Sequence, residues 1–312
     1  MTRALITGAS GFVGAHLAQH LHEKGIEVWA SYRQSRKKFS FPVCWLRADL
    51  THIDETLRLV KESRPHFIFH LAAQTITSQS WKNPEGTFQI NVAGSVNLLE
   101  AALRFSPKAR IILVSTAHVY GATFFQKRHV REDHLANPVT PYAASKLLME
   151  VAAFNFMKSH PLRIVIVRGF NQLGTGQEEH FIFSDFCRQI ALIEKRKKAP
   201  VLEVGNLALV RDFIHVHDAV KAYDLLAHKG RRGEIYNVGS GRGMRLSEGV
   251  KLLAKESRIP FIVRKKSERL RKNDYPYGVA DCSKVRKLGW RPRASLTEGL
   301  RELLNEWRNK VR

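Results

Sequence analysis

Tyr142 and Lys146 stand four residues apart in Pro141-Tyr142-Ala143-Ala144-Ser145-Lys146, inside a stretch of helix-forming composition. On a helix that spacing projects both side chains from one face, about one turn apart. A phenol with a pKa near 10 parts with its proton reluctantly at neutral pH, and a neighbouring ammonium favours the phenolate and lowers that value. The chemistry on offer is proton transfer to or from a substrate oxygen. Ser115 and Thr116, in Val114-Ser115-Thr116-Ala117-His118-Val119-Tyr120-Gly121, add two hydroxyls at the expected carboxyl end of a strand. That is where open α/β sheets bind ligands. A Tyr and a Lys at this spacing are also common on solvated helix faces, so the elements around them must decide.

Those elements announce themselves early. Thr7-Gly8-Ala9-Ser10-Gly11-Phe12-Val13-Gly14 follows a short aliphatic run and opens an amphipathic one. Gly8, Gly11 and Gly14 permit a tight strand-to-helix turn and close approach of backbone to a pyrophosphate, with Phe12 and Val13 beginning the helix whose positive end faces it. This is the dinucleotide-binding pattern of a Rossmann fold. Next comes Val28-Trp29-Ala30-Ser31-Tyr32-Arg33, with no acid where NAD selection would place one. Arg33 and Arg36 are candidates to pair with a 2′-phosphate, which favours NADP(H) and keeps NAD(H) as the alternative. The other reading of both arginines is a solvated basic surface. Asp49, with Leu50 beside it, is placed to meet the adenine edge or else to cap the helix that follows. His70-Leu71-Ala72-Ala73-Gln74 ends a strand with residues small enough for Leu71, Ala72 and Ala73 to lie against the cofactor.

Strands are predicted at residues 3–7, 27–30, 67–70, 111–114 and 164–167, with helices beginning near Gly11, Asp54, Gln89, Tyr142 and Phe181. Several runs are apolar throughout, as burial on both faces requires. The fold class is therefore α/β, a doubly wound parallel sheet across residues 1–173 with a smaller mixed α/β substrate-facing part over 174–312. Some later segments are expected to return to the first part. Two amphipathic helices, near 246–256 and 295–308, close the chain.

With 51 Lys and Arg against 28 Asp and Glu, the net charge is +23. Dispersed runs such as Lys195-Arg196-Lys197-Lys198 suggest either attraction to polyanions or a Lys- and Arg-rich solvated surface, and no nucleic-acid module accompanies them. Nucleic acid is therefore not the expected partner. The 3 cysteines, Cys44, Cys187 and Cys282, form no CxxC pair, so neither a disulfide framework nor a metal site is expected. There is no leader before Leu5 and no apolar run of about eighteen residues, which points to a cytoplasmic chain without a membrane span.

The glycine turn, the HLAA segment, Asn91-Val92-Ala93-Gly94-Ser95-Val96-Asn97-Leu98-Leu99-Glu100, the hydroxyl strand, YxxxK and Tyr236-Asn237-Val238-Gly239-Ser240-Gly241 together resemble the extended short-chain dehydrogenase/reductases, the NAD-dependent epimerase/dehydratase family. Within it, Arg168–Gln177, Val204–Leu207 and Arg211–Phe213 are most similar to the GDP-4-keto-6-deoxy-D-mannose reductases. The resemblance implies that Thr116, with Ser115 beside it, holds the sugar oxygen, that Tyr142 donates the proton, and that Lys146 tunes it and binds the nicotinamide ribose. It also implies that Asn171 and Arg211 touch the nucleotide sugar. Arg271 lies in Arg269-Leu270-Arg271-Lys272-Asn273-Asp274, which resembles the family's RxRPxD with Lys272 for proline. Gly169 likewise replaces a proline.

The implied activity is NADPH-dependent reduction of the C4 keto group of a GDP-linked 4-keto-6-deoxy hexose by a homodimer. The alternative is a 4-epimerase or 4,6-dehydratase with tightly bound NAD(P), although His118 stands where the related dehydratases carry a glutamate base. A more distant alternative is a nucleic-acid-binding protein on a Rossmann scaffold.

Overall fold

Apolar, β-branched runs become strands buried on both faces, and the amphipathic stretches between them fold back as covering helices. A computed structural model describes residues 1–126, 128–270 and 274–311. In chain order the strands are β1 (Arg3–Thr7), β2 (Glu27–Tyr32), β3 (Cys44–Arg47), β4 (Phe67–His70), β5 (Arg110–Thr116), β6 (Arg163–Gly169) and β7 (Asn171–Leu173). They continue with β8 (Val201–Val204), β9 (Val210–His215), β10 (Ile235–Val238), β11 (Gly243–Arg245), β12 (Ile262–Lys265) and β13 (Tyr277–Gly278). Seven form one parallel sheet in the order β10-β6-β5-β4-β1-β2-β3.

Strand order reverses between β1 and β4, and at such a switch point the connecting loops diverge and leave a crevice above the carboxyl ends. Two cores flank this sheet. On one face Leu17 and Leu21 of the helix Phe12–Glu23 pack with Val220 and Leu226 of the helix Val216–Lys229. On the other, Leu59, Leu98 and Met149 bring together helices Ile53–Ser63, Gly94–Phe105 and Pro141–Ser159.

β5 runs to Thr116, beyond the expected end at Val114, so both hydroxyls sit within the strand itself. The helix expected near Gln89 starts earlier. Pro84 occupies its first turn and Asn83 caps it, accepting from the Gly86 N–H at 2.9 Å, and the chain then passes through a π-turn at Gln89–Ala93. In the last third, β9 lies between β11 and β13 and also pairs with β7, while β8 pairs with β12. A third core, including Phe183, Phe186, Leu253 and Leu303, joins helices Ile182–Glu194, Leu246–Glu256 and Leu296–Lys310. Among the described residues, no helix is long and apolar enough to cross a membrane.

Candidate active site

The crevice opens on the glycine turn. Gly8 has φ +78°, where only glycine rests without strain, and a Cβ there would meet the Ala72 nitrogen at 2.8 Å. At Gly14 a Cβ would meet the Gly8 carbonyl oxygen at 2.2 Å, so glycine lets the helix close on the turn. Gly11 is the N-cap and supplies no side-chain hydrogen bond, which leaves the first-turn N–H groups open to an anion. These residues, with Phe12 and Val13, line a cavity of about 810 Å³. Its wall continues through Asp49 and Leu50, then Leu71, Ala72 and Ala73.

Arg33 lines the same cavity, and Arg36 does not. The Ser10 hydroxyl donates to the Ser35 carbonyl at 3.1 Å, and beyond Ser35 the chain leaves the wall. Asp49 accepts from the Thr51 N–H at 3.0 Å and the Thr51 hydroxyl at 2.8 Å. Burial raises its pKa, but these bonds and the nearby Arg33 hold the carboxyl below its ordinary value. An ionised acceptor and a guanidinium therefore share one end of the cavity.

At the other end are Thr116, Tyr142 and Lys146. Thr140 caps the helix Pro141–Ser159 by accepting from the Ala143 N–H at 3.1 Å, and this fixes where Tyr142 emerges. Thr116 lies beside Tyr142, close enough to lower the phenol's pKa. Tyr142 is 8% exposed and Lys146 2%, so both ionise in a dry setting. Burial pushes Tyr142 up to about 12 against the opposing influence of the neighbouring Thr116, and it brings Lys146 down to about 7 against the attraction of Glu150. This corrects the sequence expectation of a phenol acidified by lysine. The Lys146 ammonium donates to Met149 Sδ at 3.3 Å, and at Lys146 desolvation outweighs the Coulomb attraction of Glu150.

Ser115 also departs from its expected role. Neighbouring side chains on a strand point to opposite faces, and its hydroxyl donates to Glu150 Oε1 while Thr116 meets Tyr142. Glu150 in turn pairs with Arg168 at 2.8 Å, both buried. Arg211 stands behind the wall, its guanidinium 4.1 Å from the centre of the Tyr275 ring and donating to Val210 O at 2.9 Å and Asp274 Oδ1 at 3.3 Å. Asn171 lines the cavity and donates to the Asp212 carbonyl at 2.9 Å. Arg271 and Lys272 lie outside the described residues. His118 lines the cavity, with its ring 6.1 Å from that of Tyr142 and Nδ1 3.4 Å from the Tyr275 hydroxyl.

Residues without an assigned role in the sequence complete the support. Asn91, in the π-turn, accepts from the Gln74 N–H at 2.8 Å and donates to the Gln74 carbonyl at 3.0 Å and Ser145 Oγ at 2.9 Å. It thus ties the end of β4 to the Tyr142 helix. Glu150 follows Lys146 at i+4, a spacing that could have flagged it.

Residues 5–303 match the family described as GDP-mannose 4,6 dehydratase. The chain belongs to this family. Among GDP-mannose 4,6-dehydratase family relatives, GDP-6-deoxy-D-mannose reductase of Pseudomonas aeruginosa is 31% identical over 99% of this chain and 98% of its own. The structure of RMD from Pseudomonas aeruginosa complexed with NADPH has a TM-score of 0.87 at 29% identity, covering 100% of both chains. UDP-glucose 4-epimerase of Thermus thermophilus, solved with NAD, has a TM-score of 0.88 at 28% identity, covering 99% of this chain and 100% of that one. The Rossmann α/β architecture of the GDP-mannose 4,6-dehydratase family is thus the fold of this protein.

Proposed function

We propose that this protein reduces the C4 carbonyl of a nucleotide-linked 4-keto-6-deoxy hexose, of the GDP-4-keto-6-deoxy-mannose type, with NADPH. The observation that carries the reading is that Thr116, Tyr142 and Lys146 line the same cavity as the glycine turn. The residues fit a dinucleotide. Uncapped N–H groups after Gly11 suit its pyrophosphate, Asp49 its adenine edge, and Leu71–Ala73 a flat approach of the ribose. Arg33, with no acid at the end of β2, favours a 2′-phosphate. NAD(H) remains the cofactor of the alternative reading.

When bound, NADPH supplies hydride to the carbonyl carbon. Tyr142, fully protonated at neutral pH, donates its proton to the carbonyl oxygen, and the Thr116 hydroxyl orients that oxygen. Lys146 in its ammonium form stabilises the phenolate left behind. Asn171, which lines the cavity, is the proposed contact to the sugar. His118 is a poor replacement for the dehydratase glutamate, which supports reduction over elimination.

The decisive assay mixes the purified protein with NADPH and a panel of 4-keto-6-deoxy nucleotide sugars, GDP-linked ones first. Loss of one NADPH absorbance per product supports the reductase. Absence of NADPH oxidation with these sugars, together with turnover of an unmodified nucleotide sugar without net cofactor change, identifies an epimerase or dehydratase and defeats this reading.

Trp81, Leu148 and Val151 are 59%, 46% and 46% exposed on helices Thr77–Lys82 and Pro141–Ser159, an apolar surface suited to a homodimer. Light scattering tests it. Cys44, Cys187 and Cys282 are all free, which suits a reducing cytoplasm.

A further inference from the structure

Ile262 and Val263 are β-branched and form β12 together with Arg264 and Lys265, yet this strand is exposed on both of its faces. Only one of its edges is covered. β12 runs parallel to β8, with Ile262 opposite Val201 and Lys265 opposite Val204, and among the described residues it has no neighbour on the other side. The Ile262 N–H donates to the Pro200 carbonyl at 3.0 Å and the Lys266 N–H to the Val204 carbonyl at 2.9 Å. Backbone groups of successive residues alternate between the edges of a strand, so Val263 and Lys265 turn their N–H and C=O groups outward. β12 takes no part in the wall of the active-site cavity.

The segment that carries this edge has one sign. From Ser257 to Lys266 there are 4 cations, Arg258, Arg264, Lys265 and Lys266, and no acid. Lys266 pairs with Glu203 of β8 at 3.3 Å, while Arg264 and Lys265 are exposed and have no ion pair among the described residues. The turn that receives Ile262 also carries the basic run of the sequence, with Lys195, Arg196 and Lys197 exposed shortly before Pro200. Set within this charge are Ile262 and Val263, 61% and 46% exposed. A short strand bearing Lys and Arg is a common protection against unwanted pairing. Two bare aliphatic side chains work against that protection, because covering them is favourable.

We propose that β12 is a docking edge for an acidic, extended segment of another protein, which adds to it as a further strand. The backbone of that segment meets the outward N–H and C=O groups of Val263 and Lys265, its aliphatic side chains cover Ile262 and Val263, and its carboxylates face Arg264 and Lys265. A second copy of this chain is opposed by charge, because self-pairing sets Arg264 and Lys265 against their own counterparts. A nucleic acid or an anionic lipid surface would satisfy the cations and leave the backbone groups of the edge unmatched. The docking edge is independent of the reaction proposed above.

The test is fluorescence polarisation of the full chain with a short labelled peptide of alternating glutamate and valine, at physiological ionic strength. The peptide should bind, and Arg264→Glu/Lys265→Glu should weaken it by about tenfold or more. Both side chains are exposed, so the fold is expected to tolerate the change. Two further peptides carry methyl groups on alternate backbone nitrogens, one on each set, with side chains and charge unaltered. Only the set that faces β12 needs its N–H groups, so one methylated peptide should lose about tenfold in affinity and the other should bind like the unmethylated one. That comparison needs no protein variant. Equal binding of the two methylated peptides means attraction by charge alone and overturns the proposal, as do failure of the unmethylated peptide to bind and undiminished binding to the double variant. Tighter binding of an oligothymidylate or of phosphatidylserine vesicles, lost in the same double variant, assigns the face to a nucleic acid or a membrane and likewise overturns it.

Discussion

In the proposed reduction, Tyr142 serves as an acid because it is dry. Its proton stays on at neutral pH, with burial raising the pKa to about 12, and the proposed mechanism has a substrate oxygen held at Thr116 draw it off. Tyr142→Phe should therefore lower kcat/KM by about a thousandfold, the usual scale of a general acid, while NADPH affinity measured by titration changes little. Retained turnover in a folded variant would contradict this role. Burial brings Lys146 down to about 7, so the ammonium proposed to steady the phenolate is present below that pH and lost above it. The kcat/KM profile should fall as pH rises through about 7, and Lys146→Met should flatten that limb while lowering the overall rate. At this scale the spacing of Tyr142 and Lys146 was legible, because i and i+4 share a helix face. The balance of desolvation against charge was not, since it depends on which other chains of atoms exclude water.

The elements matter because they hold these groups at fixed separations. Three segments meet at Asn91: the end of β4 through Gln74, the π-turn, and the Tyr142 helix through Ser145. Asn91→Leu should strand the Gln74 N–H and carbonyl and cost about 1–3 kcal/mol, read as a lower urea midpoint at unchanged m-value. Because the Tyr142 helix loses a tether, kcat should drop as well. The sequence showed Asn91 within a recognisable motif and gave it no task. A π-turn has no periodicity of its own, and its partners lie 17 and 54 residues away. Likewise Ser115 and Thr116 looked equivalent until the strand was seen to continue through both, sending one hydroxyl to Glu150 and the other to Tyr142.

Across the whole molecule, stability should depend on acid in a way that one buried histidine makes plain. His70 is fully enclosed, its Nδ1 2.7 Å from Thr7 Oγ1 and its Nε2 2.8 Å from Ser95 Oγ, and burial reinforced by the charge of Lys146 depresses its pKa to about 3. The unfolded chain binds this proton near pH 6.5 while the folded one refuses it. Stability is therefore complete above about 6.5 and declines as pH falls toward 3. Urea midpoints measured from pH 7 to 4 should decrease steadily, and a flat series would contradict the assignment. The sequence by itself determined the α/β class, the glycine turn and the Tyr142–Lys146 pair, because each is written in residues close together in the chain and obeys a local period or spacing. Tertiary structure alone decided that Arg33 and not Arg36 borders the cavity, that Arg211 stands behind Tyr275, and that Gln172 meets Tyr223 beside Gly169. Those outcomes join residues 51 to 64 positions apart, or turn on where a loop leaves a wall, and such distances are closed only when the hydrophobic cores pack.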